Sequence, residues 1–533
     1  MLDLNTYLEN ITSFLRLNRN YLIALLVITL TTYINILPNK LFYDDEELIY
    51  KNVYVQNLSF LPKYFTENMI AGAGKTSNMY RPILLTSFAV DHLSWGNTAL
   101  GYHFTSIFLH ALNSVLIFTI LLVLFKNQFM AFLSSLFFIV HPIQSESIAY
   151  ASGRTDPLYS FFLLSAILLF ISILADKITY RFKYYLALSF FILSLLSKET
   201  AVILPLILIL VYFTYIRKKE IDLYHLLKIS FPFFLIDFFY VFLRLTILNF
   251  SNTLNFYPAS NTYSSSLLVR FYTFSNVFFT YLSILIYPKE LIMFRNVPII
   301  NSPLYPSVFA FILIAIVVTF LSFKIWRKNK IFLFSILWFL ITILPVSGII
   351  PINNILAEHY LYLPSISFFL PGAYLLTLLW KKCTNMFQKS FLVIPLTCLF
   401  IILTSRTILR NFDWHDPITF YTMSLVQSPW QIPMRHNLAM AYSENGQSEL
   451  AINEYKKIIA TNDIYPHTHH NLANIYKEIG KNKEAEEEYR KAISLDPNFQ
   501  FSYYGLADLY NKMGEQEKLD EITTKIQMLF KNN

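Results

Sequence analysis

Eleven apolar runs fill the first 416 residues, and a helical period of 34 residues takes over after them. The runs are 21–37, 102–125, 128–149, 157–175, 184–196, 200–216, 228–248, 306–323, 331–350, 364–380 and 389–404. A membrane-crossing helix needs about 20 mostly apolar residues, so each run is expected to cross, with 184–196 the shortest. Two further runs fit less well. A crossing at 271–287 would invert every later loop, so this run is expected to be interfacial or re-entrant. Asp91 and His92 interrupt 80–95, which is expected to lie on the membrane as an amphipathic helix. The first run has no small-residue cleavage site after it, so it reads as a retained anchor.

Composition removes several classes. Of 533 residues, 55% are hydrophobic and 14% charged, where soluble domains carry roughly a quarter charged residues. A set of soluble domains and a disordered chain are both excluded. Two cysteines, Cys383 and Cys398, leave no disulfide scaffold and no Cys-rich metal site. The net charge of +8 sits at the ends of apolar runs, so it signals no nucleic-acid partner. Arg16/Arg19, Lys126, Lys177/Arg181/Lys183, Arg217/Lys218/Lys219, Lys324/Arg327/Lys328/Lys330 and Lys381/Lys382 fall in loops of one parity. That parity is expected to be cytoplasmic. The other face then holds loop 38–101 and the turns 150–156, 197–199, 249–305 and 351–363. An integral multi-pass protein follows, with a cytoplasmic N-terminus and an extracytoplasmic or lumenal C-terminal domain.

Charge marks the domain boundary. Residues 417–533 hold 12 basic and 15 acidic residues, against 30 and 19 in residues 1–416. Within the acidic part, Asn437, Asn471 and Gly505 are 34 apart. So are Leu438, Leu472 and Leu506; Ala439, Ala473 and Ala507; Tyr442, Tyr476 and Tyr510; and Gly446, Gly480 and Gly514. Tyr455 and Tyr489 share the period, as do Ala451 and Ala485. This is the tetratricopeptide (TPR) pattern. Three units are expected, preceded by a lone second helix at 417–430. Such repeats present a concave surface to peptides or partner proteins; a spacer or oligomerisation arm is the plainer use. His467, His469 and His470 fall inside one repeat helix and are not expected to bind metal.

Polar residues beside membrane spans are costly and therefore functional candidates. They gather on one face: Asp44 and Asp45 after the first run, Arg81, His103 with His110 deeper, His141, Glu146, Arg154, Asp156, Lys198, Arg244, Glu358 and His359. A carboxylate can take a proton from an acceptor hydroxyl, and cations can meet a departing phosphate. Plainer readings stand beside these: an Arg154–Asp156 ion pair, packing histidines, a snorkelling Lys198, and a solvated cap at Asp44 and Asp45.

These motifs carry a resemblance. An acidic pair after the first span, Tyr80-Arg81-Pro82, Gly101-Tyr102-His103, and His141-Pro142-Ile143 followed by Glu146 and Gly153-Arg154-Thr155-Asp156 resemble the transmembrane-and-TPR family of protein O-mannosyltransferases. Ala357-Glu358-His359-Tyr360-Leu361-Tyr362-Leu363-Pro364-Ser365 is similar to that family's Ala-Glu-Arg-Tyr-Leu-Tyr-Leu-Pro-Ser, with His359 at its Arg. Three TPR units are fewer than in many of its members. The resemblance implies an all-α, GT-C-like membrane bundle (1–416) followed by a TPR domain (417–533). It implies a polyprenyl-phosphate sugar donor, an extracytoplasmic active site, an inverting transfer of a sugar, mannose by analogy, to Ser/Thr of a protein, and no required cofactor. Asp44 is the expected base, with Asp45 beside it, and Arg154 the expected phosphate contact, helped by Arg244 or Lys198. Two other readings remain: the same chemistry on a lipid or polysaccharide, and a non-catalytic membrane-anchored TPR scaffold.

Overall fold

The computed structural model describes residues 11–175, 180–216, 222–250, 262–293, 295–326, 330–352 and 354–530. Lys177, Arg217, Lys218, Lys219, Arg327 and Lys328, used above for orientation, lie outside them. The described residues are all-α, without a strand, and divide into two compact units, Met1–His415 and Asp416–Asn533.

In the first unit the longer helices are α1 (Ile11–Tyr33), α2 (Pro82–Trp95), α3 (Ala99–Phe125), α4 (Gln128–Val140), α5 (Thr155–Ala175), α6 (Tyr180–Leu195), α7 (Leu204–Tyr215), α8 (Leu223–Leu245), α9 (Leu267–Ile286), α10 (Pro306–Trp326), α11 (Lys330–Ile343), α12 (Ile366–Lys382) and α13 (Met386–Phe412). Among the described residues, six stretches are long and apolar enough to cross a membrane: Ser13–Ile36, Ala99–Phe125, Ser152–Ala175, Leu223–Leu245, Leu267–Ile286 and Met386–Phe412. Shorter apolar helices stand among them.

Helix ends of one parity meet in a rim. Tyr33 at the end of α1 donates to the Ile139 carbonyl near the end of α4 (3.1 Å). Thr407 near the end of α13 donates to the Val140 carbonyl (2.6 Å), and Asn411 to the Thr32 carbonyl (3.1 Å). His103 at the start of α3 meets the Asn39 carbonyl (3.2 Å), and Ser194 at the end of α6 bonds the Tyr159 carbonyl near the start of α5 (2.8 Å).

Three elements differ from the hydropathy pattern. The run 128–149 is one apolar stretch but not one helix. Pro142 has no N–H and pushes His141 to an extended backbone (φ −75°, ψ 126°), so α4 stops at Val140. The chain resumes as a 3₁₀ turn and the short helix Ser145–Ala149. In α2, Asp91 does not face water: it is buried and paired inside the bundle. Finally, α9 has a spanning helix's length and composition, yet both its ends touch the rim. Leu285 meets His141 and Tyr281 meets Ala357 near its C-terminus (3.2 and 3.4 Å). At the other end Tyr263 and Arg270 adjoin Gly348, beyond the rim end of α11. By length and composition α9 is a spanning candidate, where the sequence led to an interfacial or re-entrant expectation.

The second unit consists of α14 (Pro417–Gln427), α15 (Ile432–Glu444), α16 (Ser448–Thr461), α17 (Pro466–Glu478), α18 (Asn482–Leu495), α19 (Gln500–Met513) and α20 (Gln516–Phe530). Ala439, Ala451, Ala473 and Ala485 are fully buried between paired helices, where a larger side chain would hold the backbones apart. Gly446, Gly480 and Gly514 take φ of +73°, +79° and +73° after α15, α17 and α19, the left-handed conformation that ends each helix. The register read from the period is therefore the register observed.

Candidate active site

The acidic pair follows a strained residue. Tyr43 has φ +60°, rare for a non-glycine, and Glu46–Tyr50 after the pair forms a π-turn. Such conformations persist where surrounding structure imposes them, often at functional sites. The two carboxylates diverge. Asp45 is buried and accepts from the Ser152 amide (2.8 Å) and, at short range, from the Ser152 hydroxyl. Burial outweighs these bonds and pushes its pKa up to about 7. Asp44 is exposed to solvent. Desolvation by the surrounding protein raises its pKa as well; Tyr150 opposes that shift and the Glu47 charge adds to it. The Asp44 amide is also bonded to the Tyr150 hydroxyl (3.1 Å).

From Tyr150 a chain of contacts runs along the rim. Tyr150 stacks on Trp414 (5.1 Å between centroids), and the Arg410 guanidinium stands 6.0 Å from the Trp414 ring. Arg410 reaches Asp413 (3.0 Å) and Glu358 (3.5 Å). Burial raises the pKa of Glu358 despite Arg410. Glu146 is bonded by His359 through Nδ1 (2.7 Å) and through the backbone amide (3.2 Å). Burial disfavours its charge, but His359 and Arg410 overcome this and lower its pKa. The His359 ring contacts Tyr360 (4.6 Å), and Lys198 Nζ lies 6.0 Å from the Tyr360 ring. Lys198 pairs with Asp156 (2.7 Å). Next to it, Arg81 grips Glu199 with two bonds (3.1 and 2.7 Å), joining loop 38–101 to the 197–199 turn.

Other candidates stand apart from this line. Arg154 is fully buried, paired with Asp91 (2.6 Å), bonded to the Tyr102 carbonyl (2.5 Å) and 4.9 Å from the Phe88 ring. It cannot reach a phosphate without unpacking α2, and its partner is Asp91, not Asp156. Arg244 donates to the Leu248 and Asn78 carbonyls (both 2.5 Å). His103 and His110 are buried packing residues, the latter on the Tyr362 hydroxyl (2.8 Å). His141 caps the turn after α4 through Ile143 N (3.2 Å).

The residues missed from sequence are Asp91, Tyr150, Arg410 and Trp414. Arg410 had a signal: it is a cation near the rim end of the last apolar helix, a costly place unless paired. Asp91 had the same signal but was taken as a break in an apolar run. Among the described residues no cluster of three metal-ligating side chains occurs.

Known proteins can now be set beside this geometry. Family profiles described as "Tetratricopeptide repeat" match residues 432–463 and 466–499, and a second such profile matches 488–520. A Protein O-mannosyl-transferase of Caenorhabditis elegans is 26% identical over 84% of this chain and 63% of its own length. The resemblance to the transmembrane-and-TPR protein O-mannosyltransferases holds. Protein O-mannosyl-transferase TMTC4 of Homo sapiens is 24% identical over 78% of this chain and 62% of its own. TMTC3 of the same organism is 25% identical over 74% of this chain and 46% of its own. The chain thus spans less than two thirds of the length of these curated relatives.

Proposed function

We propose that this chain is a membrane glycosyltransferase that moves a sugar, mannose by likeness to its relatives, from a polyprenyl phosphate to Ser or Thr hydroxyls of a protein. The observation that carries the reading is the divergence of the acidic pair. Asp44 is exposed at the rim, while Asp45 is buried and fixed by Ser152. A water-borne hydroxyl and a lipid-borne sugar can meet only at such a surface. A carboxylate with a raised pKa is also a better base than an ordinary one.

In this mechanism Asp44 takes the proton of the acceptor hydroxyl. The hydroxyl oxygen bonds to the sugar's anomeric carbon from the face opposite the phosphate. The bond from that carbon to the phosphate oxygen breaks, and polyprenyl phosphate leaves with the electron pair. Configuration inverts, and no cofactor enters. Asp45 is a positioning residue. Arg154 is enclosed and Lys198 is sealed with Asp156, so we assign the phosphate contact to Arg81, on the Tyr360 side of the rim. Its partner Glu199 is half-exposed and holds it in the free protein. The TPR unit supports a protein acceptor over a lipid or polysaccharide, because helix-pair repeats bind polypeptides. The rim and the TPR unit are proposed to be extracytoplasmic, from the one-sided basic loops.

The test uses purified protein in lipid nanodiscs with labelled polyprenyl-phosphate mannose and an acceptor protein, reading released polyprenyl phosphate. Asp44→Asn should lower transfer by about 10²–10⁴-fold and leave donor binding intact. Full activity in Asp44→Asn, Asp45→Asn and the double variant would remove the pair from the chemistry and favour a scaffold. A C-terminal tag digested only from the cytoplasmic side would overturn the orientation.

A further inference from the structure

Helices α4, α9, α12 and α13 leave between them a groove of about 220 Å³, lined by Phe137, His141, Leu285, Phe369, Gly372 and Leu403 among others. The lining is apolar apart from His141, whose two ring nitrogens are engaged by the Leu285 carbonyl and the Ile143 amide (both 3.2 Å). The groove is open at Gly372, where an added Cβ would meet nothing within 4 Å. Glycine follows Pro371 there, in the interior of α12, at a cost to helix stability that the rest of the helix must offset.

Beyond the groove's lining, toward the rim, stand two cations, with the exposed Glu290 next to one of them. One turn beyond Leu403 stands Arg406, and three residues beyond Ile286 stands Lys289. The two meet, Arg406 Nη2 donating to the Lys289 carbonyl (3.0 Å), and Lys289 is exposed. An apolar slot with two cations beyond it complements an amphiphile with a hydrocarbon chain and a phosphate.

We propose that this groove binds an anionic phospholipid of the surrounding membrane. One acyl chain lies past Gly372, and the headgroup phosphate rests on Arg406 and Lys289. The occupant is a membrane phospholipid and not the sugar donor, because neither Tyr150 nor Ser152, the partners of Asp44 and Asp45, lines the groove. The bound lipid ties the C-terminal end of α9 to α4, α12 and α13, whose residues share the groove.

The experiment reconstitutes the full chain in phosphatidylcholine vesicles holding a minority of phosphatidylglycerol, re-extracts it in detergent and reads bound lipid by native mass spectrometry. Wild type should retain phosphatidylglycerol above its share in the vesicle. Gly372→Leu fills the slot and should lower retained lipid by about tenfold or more. Arg406→Gln leaves the slot open and should lower the preference for phosphatidylglycerol over phosphatidylcholine by about fivefold. If Gly372→Leu does not fold, Arg406→Gln decides alone. No enrichment in wild type, or both variants behaving as wild type, overturns the proposal. Displacement of phosphatidylglycerol by added polyprenyl phosphate overturns the choice of occupant. None of these readouts depends on sugar transfer.

Discussion

The two units differ in their most enclosed ion pairs. Three pairs of the membrane unit are sealed: side-chain exposures are 0% and 7% for Arg154–Asp91, 6% and 4% for Lys198–Asp156, and 5% and 0% for Arg410–Glu358. Others there stay open, as in Lys51–Glu46, at 64% and 41%. In the TPR unit Lys477–Asp508 is open, at 20% and 64%, and Arg435–Glu454 is half-closed, at 18% and 10%. A sealed pair loses hydration at both ends, so each charge depends on its partner. An open pair trades water for a partner at little gain. The same chemistry therefore fixes geometry in a sealed pair and decorates a surface in an open one. The TPR unit rests instead on its repeated alanines and tyrosines.

Breaking one sealed pair from one side should give the largest effect. Arg154→Met leaves Asp91 buried and uncompensated, and should cost about 3–5 kcal/mol. Arg154→Met with Asp91→Leu should recover most of that loss, since an apolar replacement of both partners is often neutral. Thermal unfolding in detergent tests this; equal loss in single and double variants would show that Arg154 acts through its bond to the Tyr102 carbonyl instead.

A smaller effect attaches to Asp45, whose folded pKa of about 7 lies above its unfolded value. The folded state then holds the proton more tightly than the unfolded state. Its contribution to stability is greatest below about pH 4 and falls as pH rises toward 7. Asp45→Asn keeps an acceptor for Ser152 and removes the buried charge. It should be more stable than wild type above pH 7, by on the order of 2–3 kcal/mol, and should converge with it below about pH 4. A pH-independent difference would contradict the buried carboxylate.

His469 sharpens the contrast from the TPR side. Burial works against its charge, but bonds to Glu488 and Asp463 (both 2.5 Å) raise its pKa. Stability from this contact is full below about pH 6.5 and is lost as pH rises through the raised value. His469→Gln should cost about 1 kcal/mol at low pH and less at high pH, read by hydrogen exchange of α17 and α18. His436 and His470 act in the opposite sense, since burial lowers both to about 4, so the His469 variant is needed to separate them.

The smallest effect is expected at the open pair. Lys477→Met should change TPR stability by less than about 1 kcal/mol, and added salt should erase the difference. A loss as large as that of Arg154→Met would end the contrast between the units.

Much of this protein is determined by local pattern. The apolar runs, the 34-residue period and the glycines that end α15, α17 and α19 are visible in sequence because each depends on spacing within one or two helices. Gathering of acids, bases and cations on one rim was also legible, since alternating helices send every second loop to the same side. Partnership was not. Asp91 and Arg154 are 63 positions apart in the chain, and Glu358 and Arg410 belong to different helix ends. Only packing could decide that Arg154 is enclosed and that Asp44 and not Asp45 meets solvent. The physical reason is that hydropathy measures how much a segment gains by leaving water, while the partner of a buried charge is set by which other charge the fold brings within reach.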